Sequence, residues 1–230
     1  AKHPDRLGEI IKYTKEGRLE WGAPYNQPYE GLYAGEALIR EAYYGKKKLQ
    51  KIIPGAEDVC AWSEDVPGRT LQAPQIFAKA GIKYLQFSRF QPGIYNWYSP
   101  DGSYITCWTP GQYEASGRTV RNAATDEQRT RAFTEKLIHW NGYYKKRNLS
   151  PALIYIHSHD FSEPLNYDRY FDQWNNRVRQ GISHLPSIHY ATGTEALAAA
   201  SGKGKIDYIQ GERPNVWLYI HGPTHEKAIK

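Results

Sequence analysis

Short apolar runs alternate with longer segments of helical periodicity, and this alternation most narrows the folds open to the chain. Leu19-Glu20-Trp21, ahead of Gly22, reads as a short strand, and Ala34–Gln50 as a helix with a basic end. Asp58–Ser63 reads as a strand, Leu71–Ala80 as a helix stopped by Gly81, and Lys83–Ser88 as the next strand. Pro100-Asp101-Gly102 marks a hairpin turn between Tyr95–Tyr98 and Tyr104–Trp108. A long helix is predicted over Asp126–Arg147, with Phe133, Leu137, Trp140 and Tyr144 on one face. Beyond it come an apolar strand at Leu153–Ile156, a helix at Tyr167–Gln180 and a strand at Ser187–Tyr190. An Ala-rich helix, Glu195–Ala200, follows, capped by Thr192 or Thr194.

Strands separated by helices imply a parallel α/β sheet. If such a sheet closes into a barrel, functional residues belong at the C-terminal strand ends. Three segments put polar residues there: Ser63-Glu64-Asp65, Ser88-Arg89 and His157-Ser158-His159-Asp160. The expected organisation is a partial β/α barrel over residues 1–201 and a segment over 202–230 that leads out of it and contains the apolar run Val216–Ile220.

Hydrophobic residues make up 40% of the chain and charged residues 23%, enough apolar content for a sizeable core. No apolar run approaches the ~20 residues of a membrane helix, so no membrane partner is expected. The formal charge is +6, but its densest clusters, Lys46-Lys47-Lys48 and Lys145-Lys146-Arg147, sit at predicted helix ends, where cations complement the helix dipole. Nucleic acid is therefore not an expected partner. The 7 Trp and 19 Tyr are more telling, because many lie beside strand ends and loops. An aromatic ring matches the apolar face of a pyranose, although core packing is the commoner fate of any single ring. Cys60 and Cys107 lie within predicted strands without CxxC-type spacing and read as buried free thiols.

Two carboxylates at the ends of buried strands are the minimum equipment for retaining glycoside hydrolysis. One attacks the anomeric carbon, and the other protonates the leaving oxygen and then activates water, from about 5–5.5 Å away. Asp65 and Asp160 stand where such a pair would, although an Asp after a strand also serves as a loop or helix cap. His157 and His159 alternate on one strand end, and His221 and His225 flank Gly222-Pro223-Thr224. Neither pair has the HExxH spacing of a helix-borne zinc site, and a metal assembled from separate segments stays open. Arg89 can pair with a carboxylate at the strand mouths and orient it.

Ala61-Trp62-Ser63-Glu64-Asp65-Val66-Pro67-Gly68, followed by Pro74 and Lys79-Ala80-Gly81-Ile82-Lys83-Tyr84, resembles the nucleophile segment of glycoside hydrolase family 38, the α-mannosidases. Trp97-Tyr98-Ser99-Pro100-Asp101-Gly102-Ser103 is similar to that family's Pro-Asp-Gly hairpin, His159-Asp160-Phe161 to its acid/base segment, and Gly222-Pro223-Thr224-His225 to the segment of its last zinc-binding His. The resemblance implies a seven-stranded β/α barrel, here incomplete at the N-terminus. It implies Asp65 as both nucleophile and zinc ligand, Asp160 as general acid/base, and His225 as a further ligand. Arg89, Trp62, His159 and Trp97 become substrate contacts, Zn2+ the cofactor and an oligosaccharide or glycan the substrate. Self-association into a homo-oligomer is left open.

Two departures stand out. Arg69 occupies a position where many members carry His, a change expected to alter the contacts around the nucleophile. The family's His-x-Asp on the first barrel strand is also missing. His3-Pro4-Asp5 has the spacing, but it reads as a helix start; the ligands are then expected upstream, in a longer enzyme. The complete lack of methionine fits the same reading. Two other functions stay open: a degenerate barrel that binds carbohydrate without cleaving it, and a polysaccharide deacetylase-like hydrolase working through zinc-bound water.

Overall fold

The structure is a computed structural model that describes residues 3–27, 30, 33–57, 59–66, 68–113, 118, 120–156, 163 and 165–211. It is a mixed α/β fold. The helices are α1 (Leu7–Lys15), α2 (Gly35–Ile52), α3 (Ala73–Lys79), α4 (Asp126–Arg147), α5 (Asp168–Arg179) and α6 (Gly193–Ser201). The strands are β1 (Cys60–Ser63), β2 (Tyr84–Phe87), β3 (Gly93–Tyr98), β4 (Tyr104–Thr109) and β5 (Asp207–Gln210). They form one sheet in the order β1-β2-β4-β3-β5. β1, β2 and β4 run parallel, β3 runs antiparallel to β4, and β5 is parallel to β3.

Local chemistry accounts for these boundaries. Pro74 opens α3, and Gly81, at φ +85°, lets the chain turn into β2. The hairpin closes as its Pro-Asp-Gly sequence predicts: Gly102 N–H donates to Ser99 O at 3.0 Å and Asp101 Oδ1 accepts from Ser103 N–H at 3.0 Å. α4 keeps the predicted bounds, with the Thr125 side chain capping its start and Asn148 in the left-handed region at φ +50° closing its end. Of the two candidate caps for α6 it is Thr192 that serves, in a reciprocal capping box with Glu195. His3-Pro4-Asp5 is a helix start, with Pro4–Arg6 forming a 3-10 turn that runs into α1.

The sheet is covered on both faces. Ala61, Leu85, Cys107, Tyr95 and Trp97 face α3 through Phe77 and α2 through Ala42. On the other face Cys60, Ile94 and Trp108 pack with Tyr144 of α4, Leu149, and Leu197 and Ala200 of α6. A third cluster, built from Val120, Phe133, Tyr170 and Trp174, joins α4 to α5. Cys60 and Cys107 are buried free thiols, as expected.

The described residues carry five strands in one sheet, which bears out the α/β class of the expectation at that coarser level. Three expectations need correction. The predicted strand at Leu19–Trp21 reduces to one parallel bridge, Ala23 to Ala61. The Trp21 indole N–H donates back to Thr14 Oγ1 at 3.1 Å, and Pro24 has no N–H with which to extend a ladder. Leu153–Ile156 is not part of a strand ladder among the described residues; Leu153, Ile154 and Ile156 pack against the second face, and Tyr155 joins the third cluster. Ser187–Tyr190 is also not a strand, because Asn175 takes both ladder positions of Ile188. The Asn175 amide donates to Ile188 O at 2.7 Å, and its Oδ1 accepts from Ile188 N–H at 2.8 Å. β5 was not anticipated; at four residues, with two half-buried and two exposed, its signal is too weak to read.

Candidate active site

The C-terminal ends of β1 and β2 lie side by side, and their first residues beyond the ladder hold the strongest candidates. Asp65 Oδ1 accepts from Arg89 Nε–H at 2.7 Å and from a second guanidinium N–H, Nη2. The pair is partly open to solvent: the Arg89 side chain is 27% exposed and that of Asp65 40%. Arg89 sits in the left-handed backbone region at φ +62°, which a non-glycine residue adopts only under constraint. Its N–H donates to Gly111 O at 2.6 Å, a bond that holds the turn and so fixes where its guanidinium starts from. Asp65 and Arg89, separate in sequence, are thus brought together.

Arg69 does not reach this pair. It is buried with Glu30, Nε to Oε1 3.5 Å, and donates to Gly68 O at 2.6 Å. Glu30 also accepts from Thr70 N–H at 2.7 Å. Burial raises the Glu30 pKa and lowers that of Arg69, each partly offset by the other's charge, so desolvation outweighs attraction on both sides. The expected effect of Arg69 on the direct contacts of Asp65 is therefore not seen; Arg69 anchors the loop that follows Asp65.

Trp62 is half-buried and lines a pocket of about 400 Å³ with Glu20, Gly22, Pro24, Asn26 and Gln27. Gly22 and Gly193 leave room for its ring: a Cβ would stand 2.9 Å from Trp62 Cδ1 at Gly22 and 3.1 Å from Cζ2 at Gly193. Trp97 lies on the opposite face, fully buried, and its indole N–H donates to Gly211 O at 3.0 Å. Asp160, His159 and His225, with His157 and His221, lie outside the described residues.

Beside Asp65 is a second carboxyl that sequence reasoning passed over. Both Glu64 oxygens are buried without a hydrogen-bond partner. Burial raises the Glu64 pKa to about 7, the neighbouring Asp65 adds to that rise, and the Gln86 amide opposes it without closing a bond of ordinary geometry. The Gln86 amide nitrogen, the Ser88 hydroxyl and the Trp108 indole N–H are likewise buried without partners. Strand register could have found this group: Trp62, Gln86 and Trp108 are direct neighbours across β1, β2 and β4. Glu64 and Ser88 follow Trp62 and Gln86 by two residues, the period that returns a side chain to the same side.

The Glu64 shift has a measurable consequence. An unfolded Glu titrates near 4.5 and the folded one near 7, so between these values the folded chain holds a proton that the unfolded chain has lost. Stability contributed by this site is therefore present below pH 4.5 and falls as pH rises to about 7. Glu64→Gln removes the ionisation and is expected to stabilise by about 3 kcal/mol at pH 8, at roughly 1.4 kcal/mol per pH unit of the window, and by almost nothing at pH 4. Thermal melts at both pH values check this; an equal gain at each would sink it.

Among the described residues no group of three or more His, Cys, Asp or Glu side chains is arranged to hold a metal ion. With Asp65 engaged by Arg89, the described residues alone do not make a zinc shell.

The family model for the N-terminal domain of glycosyl hydrolases family 38 matches residues 1–205. A proposed mannosylglycerate hydrolase of Halalkalibacterium halodurans is 28% identical over 150 residues, covering 58% of this chain and 16% of that protein. Among solved structures, an α-mannosidase from Enterococcus faecalis superposes with a TM-score of 0.72 at 19% identity, over 92% of this chain and 24% of its own. A family 38 protein from the same organism gives 0.67 at 17% identity, over 91% and 22%. At these identities the likeness to the solved structures concerns the fold, and the chain spans about a quarter or less of each of these three proteins.

Proposed function

The chain belongs to glycoside hydrolase family 38, and from that premise we propose that the intact protein hydrolyses α-linked mannosides, or closely related α-glycosides, with retention of configuration. The observation that carries the proposal is the Asp65 carboxylate held by Arg89 at the adjoining ends of two parallel strands, where a β/α architecture gathers its chemistry. The seven-stranded barrel is part of this reading.

In it Asp65 attacks the anomeric carbon while Asp160 protonates the departing glycosidic oxygen. Asp160 then takes a proton from water, which releases the sugar from Asp65. Arg89 fixes the direction of the Asp65 carboxylate, so that the reacting oxygen is set before substrate arrives. Trp62 offers a half-buried ring beside the pocket as a platform for a pyranose face. Zn2+ held by Asp65 and His225 is a separate proposal; such an ion would supply orientation of sugar hydroxyls and charge stabilisation. Metal analysis of the intact protein tests it, and a metal-free active preparation would remove it.

The hydrolytic proposal is tested by following cleavage of an aryl α-mannoside by NMR. The first-formed sugar is expected to be the α anomer. A β product would replace the nucleophile mechanism with an inverting one.

A second reading, a barrel that binds carbohydrate without cleaving it, draws on the same ion pair, since two guanidinium N–H groups converge on one Asp65 oxygen. Binding of an α-mannoside without turnover would decide for it.

A further inference from the structure

The chemistry above does not use Glu64, Gln86, Ser88 or Trp108. Gln86, Ser88 and Trp108 are only 3%, 7% and 1% exposed, yet each has a side-chain polar atom without a hydrogen-bond partner, and Glu64 has two. Folded proteins leave few such atoms, and each calls for an explanation. Here five of them belong to three neighbouring parallel strands and to the strand ends that carry Asp65 and Arg89. Register puts them on one side of the sheet, the side that also bears Trp62.

Their chemistry narrows what can satisfy them. The Gln86 amide nitrogen and the Trp108 indole donate, the Ser88 hydroxyl does both, and the Glu64 carboxyl accepts, or donates when protonated. The set contains no cation and one acid, which disfavours phosphate and other anions. An apolar guest would leave every polar atom unpaired. A polyol suits the set, because each of its hydroxyls both gives and takes a hydrogen bond. Ordered water is the competing occupant.

We propose that Glu64, Gln86, Ser88 and Trp108 form a hydroxyl-recognition recess beside Asp65, which binds hydroxyls of the glycoside that Asp65 attacks. The proposal rests on the hydrolase reading and deepens it, by naming residues that read the sugar rather than break its bond. Glu64 adjoins Asp65 and Ser88 adjoins Arg89 in the chain, and the Asp65–Arg89 pair is partly open to solvent, so a ring brought to Asp65 meets the strand ends that carry two of the four residues.

The test uses the intact protein carrying Asp65→Ala, so that methyl α-mannoside binds without turnover, and measures affinity by calorimetry. Adding Trp108→Phe, which keeps a ring but removes the indole N–H, or Gln86→Leu is expected to weaken binding roughly 3- to 10-fold each. At least one monodeoxy methyl α-mannoside should lose a similar factor against the Asp65→Ala parent and nothing more against the variant, since the same hydrogen bond has been removed from either side. A merely structural effect gives losses that add for every deoxy sugar, and that result overturns the proposal. Unchanged affinity in both variants also overturns it, leaves the hydrolase reading intact and identifies the recess as a water site. Should Trp108→Phe not fold, Gln86→Leu and Ser88→Ala complete the same cycle. If the wild-type protein neither binds nor cleaves any α-mannoside, the hydrolase reading falls first and the recess with it.

Discussion

Asp65→Ala is expected to reduce hydrolysis of an aryl α-mannoside by roughly 10⁴-fold or more, with a much smaller effect on binding of the uncleaved sugar. The reason lies in what this carboxylate contributes. It forms the covalent bond in the proposed mechanism, so its removal abolishes a step rather than slowing one. Its position depends on two independent constraints: the end of β1, and an Arg89 whose left-handed backbone is tied to Gly111. Arg89→Lys keeps the charge but cannot reproduce two convergent N–H bonds to one oxygen, so a partial loss of turnover with folding intact should accompany it. Small nucleophiles such as azide or formate offer a sharper readout, because they can replace the missing carboxylate in Asp65→Ala and restore product formation. Unchanged turnover in Asp65→Ala would refute the nucleophile assignment, whatever the other variants do.

Arg69→Leu is expected to destabilise the fold by about 3–5 kcal/mol, the usual cost of leaving one member of a buried ion pair without its partner. The stranded group is Glu30, already raised by burial and held down chiefly by Arg69. Glu30→Leu alone strands the guanidinium in the same way. The double variant should recover much of the loss, because two apolar side chains need no counter-charge, although Thr70 N–H then loses its acceptor. Chemical denaturation of the three variants measures this, and additive losses would show that the two side chains do not act as a pair. Glu30, held by Arg69 and by the Thr70 N–H 40 positions further on, is also tied to the loop after Asp65, so the variants probe how firmly that loop is anchored.

The legible parts of the fold were those whose signal is local. α4 was bounded correctly because a Thr cap, an acidic first turn and a basic last turn all fall within one segment. The hairpin was readable because Pro-Asp-Gly sets its turn without help from elsewhere. Failures came where a distant side chain decides. Nothing in Ser187–Tyr190 announces that Asn175 will occupy the backbone of Ile188, and apolar composition at Leu153–Ile156 does not distinguish pairing from packing. The site divides in the same way. Asp65 and Arg89 were visible as polar residues closing apolar runs, while Gln86 and Trp108 sit inside strands and look like core until the register aligns them. Arg69, which the family pattern led one to expect among the contacts of Asp65, is paired with Glu30 instead, a partner from a distant part of the chain.

The pairing of β5 with β3 bears on the order in which the molecule assembles. Tyr95 faces Asp207 in that ladder, whereas Tyr98 faces Tyr104 in the hairpin on the other side of β3. Closing the longer span costs on the order of 3/2 RT ln n in chain entropy, about 4 kcal/mol for a span of this size, against about 2 for the hairpin. The hairpin can nucleate early from local contacts, and β5 must wait for a surface on which to land. That surface includes Arg147 at the end of α4, which donates to Asp207 Oδ2 at 2.6 Å and stacks over the Tyr143 ring at 3.9 Å. Pulse-labelled amide exchange during refolding should therefore protect the β3–β4 amides before those of β5. Until β5 docks, the outer edge of β3 is an unpaired edge beside buried aromatic rings, the kind of edge on which a second copy of the chain can pair.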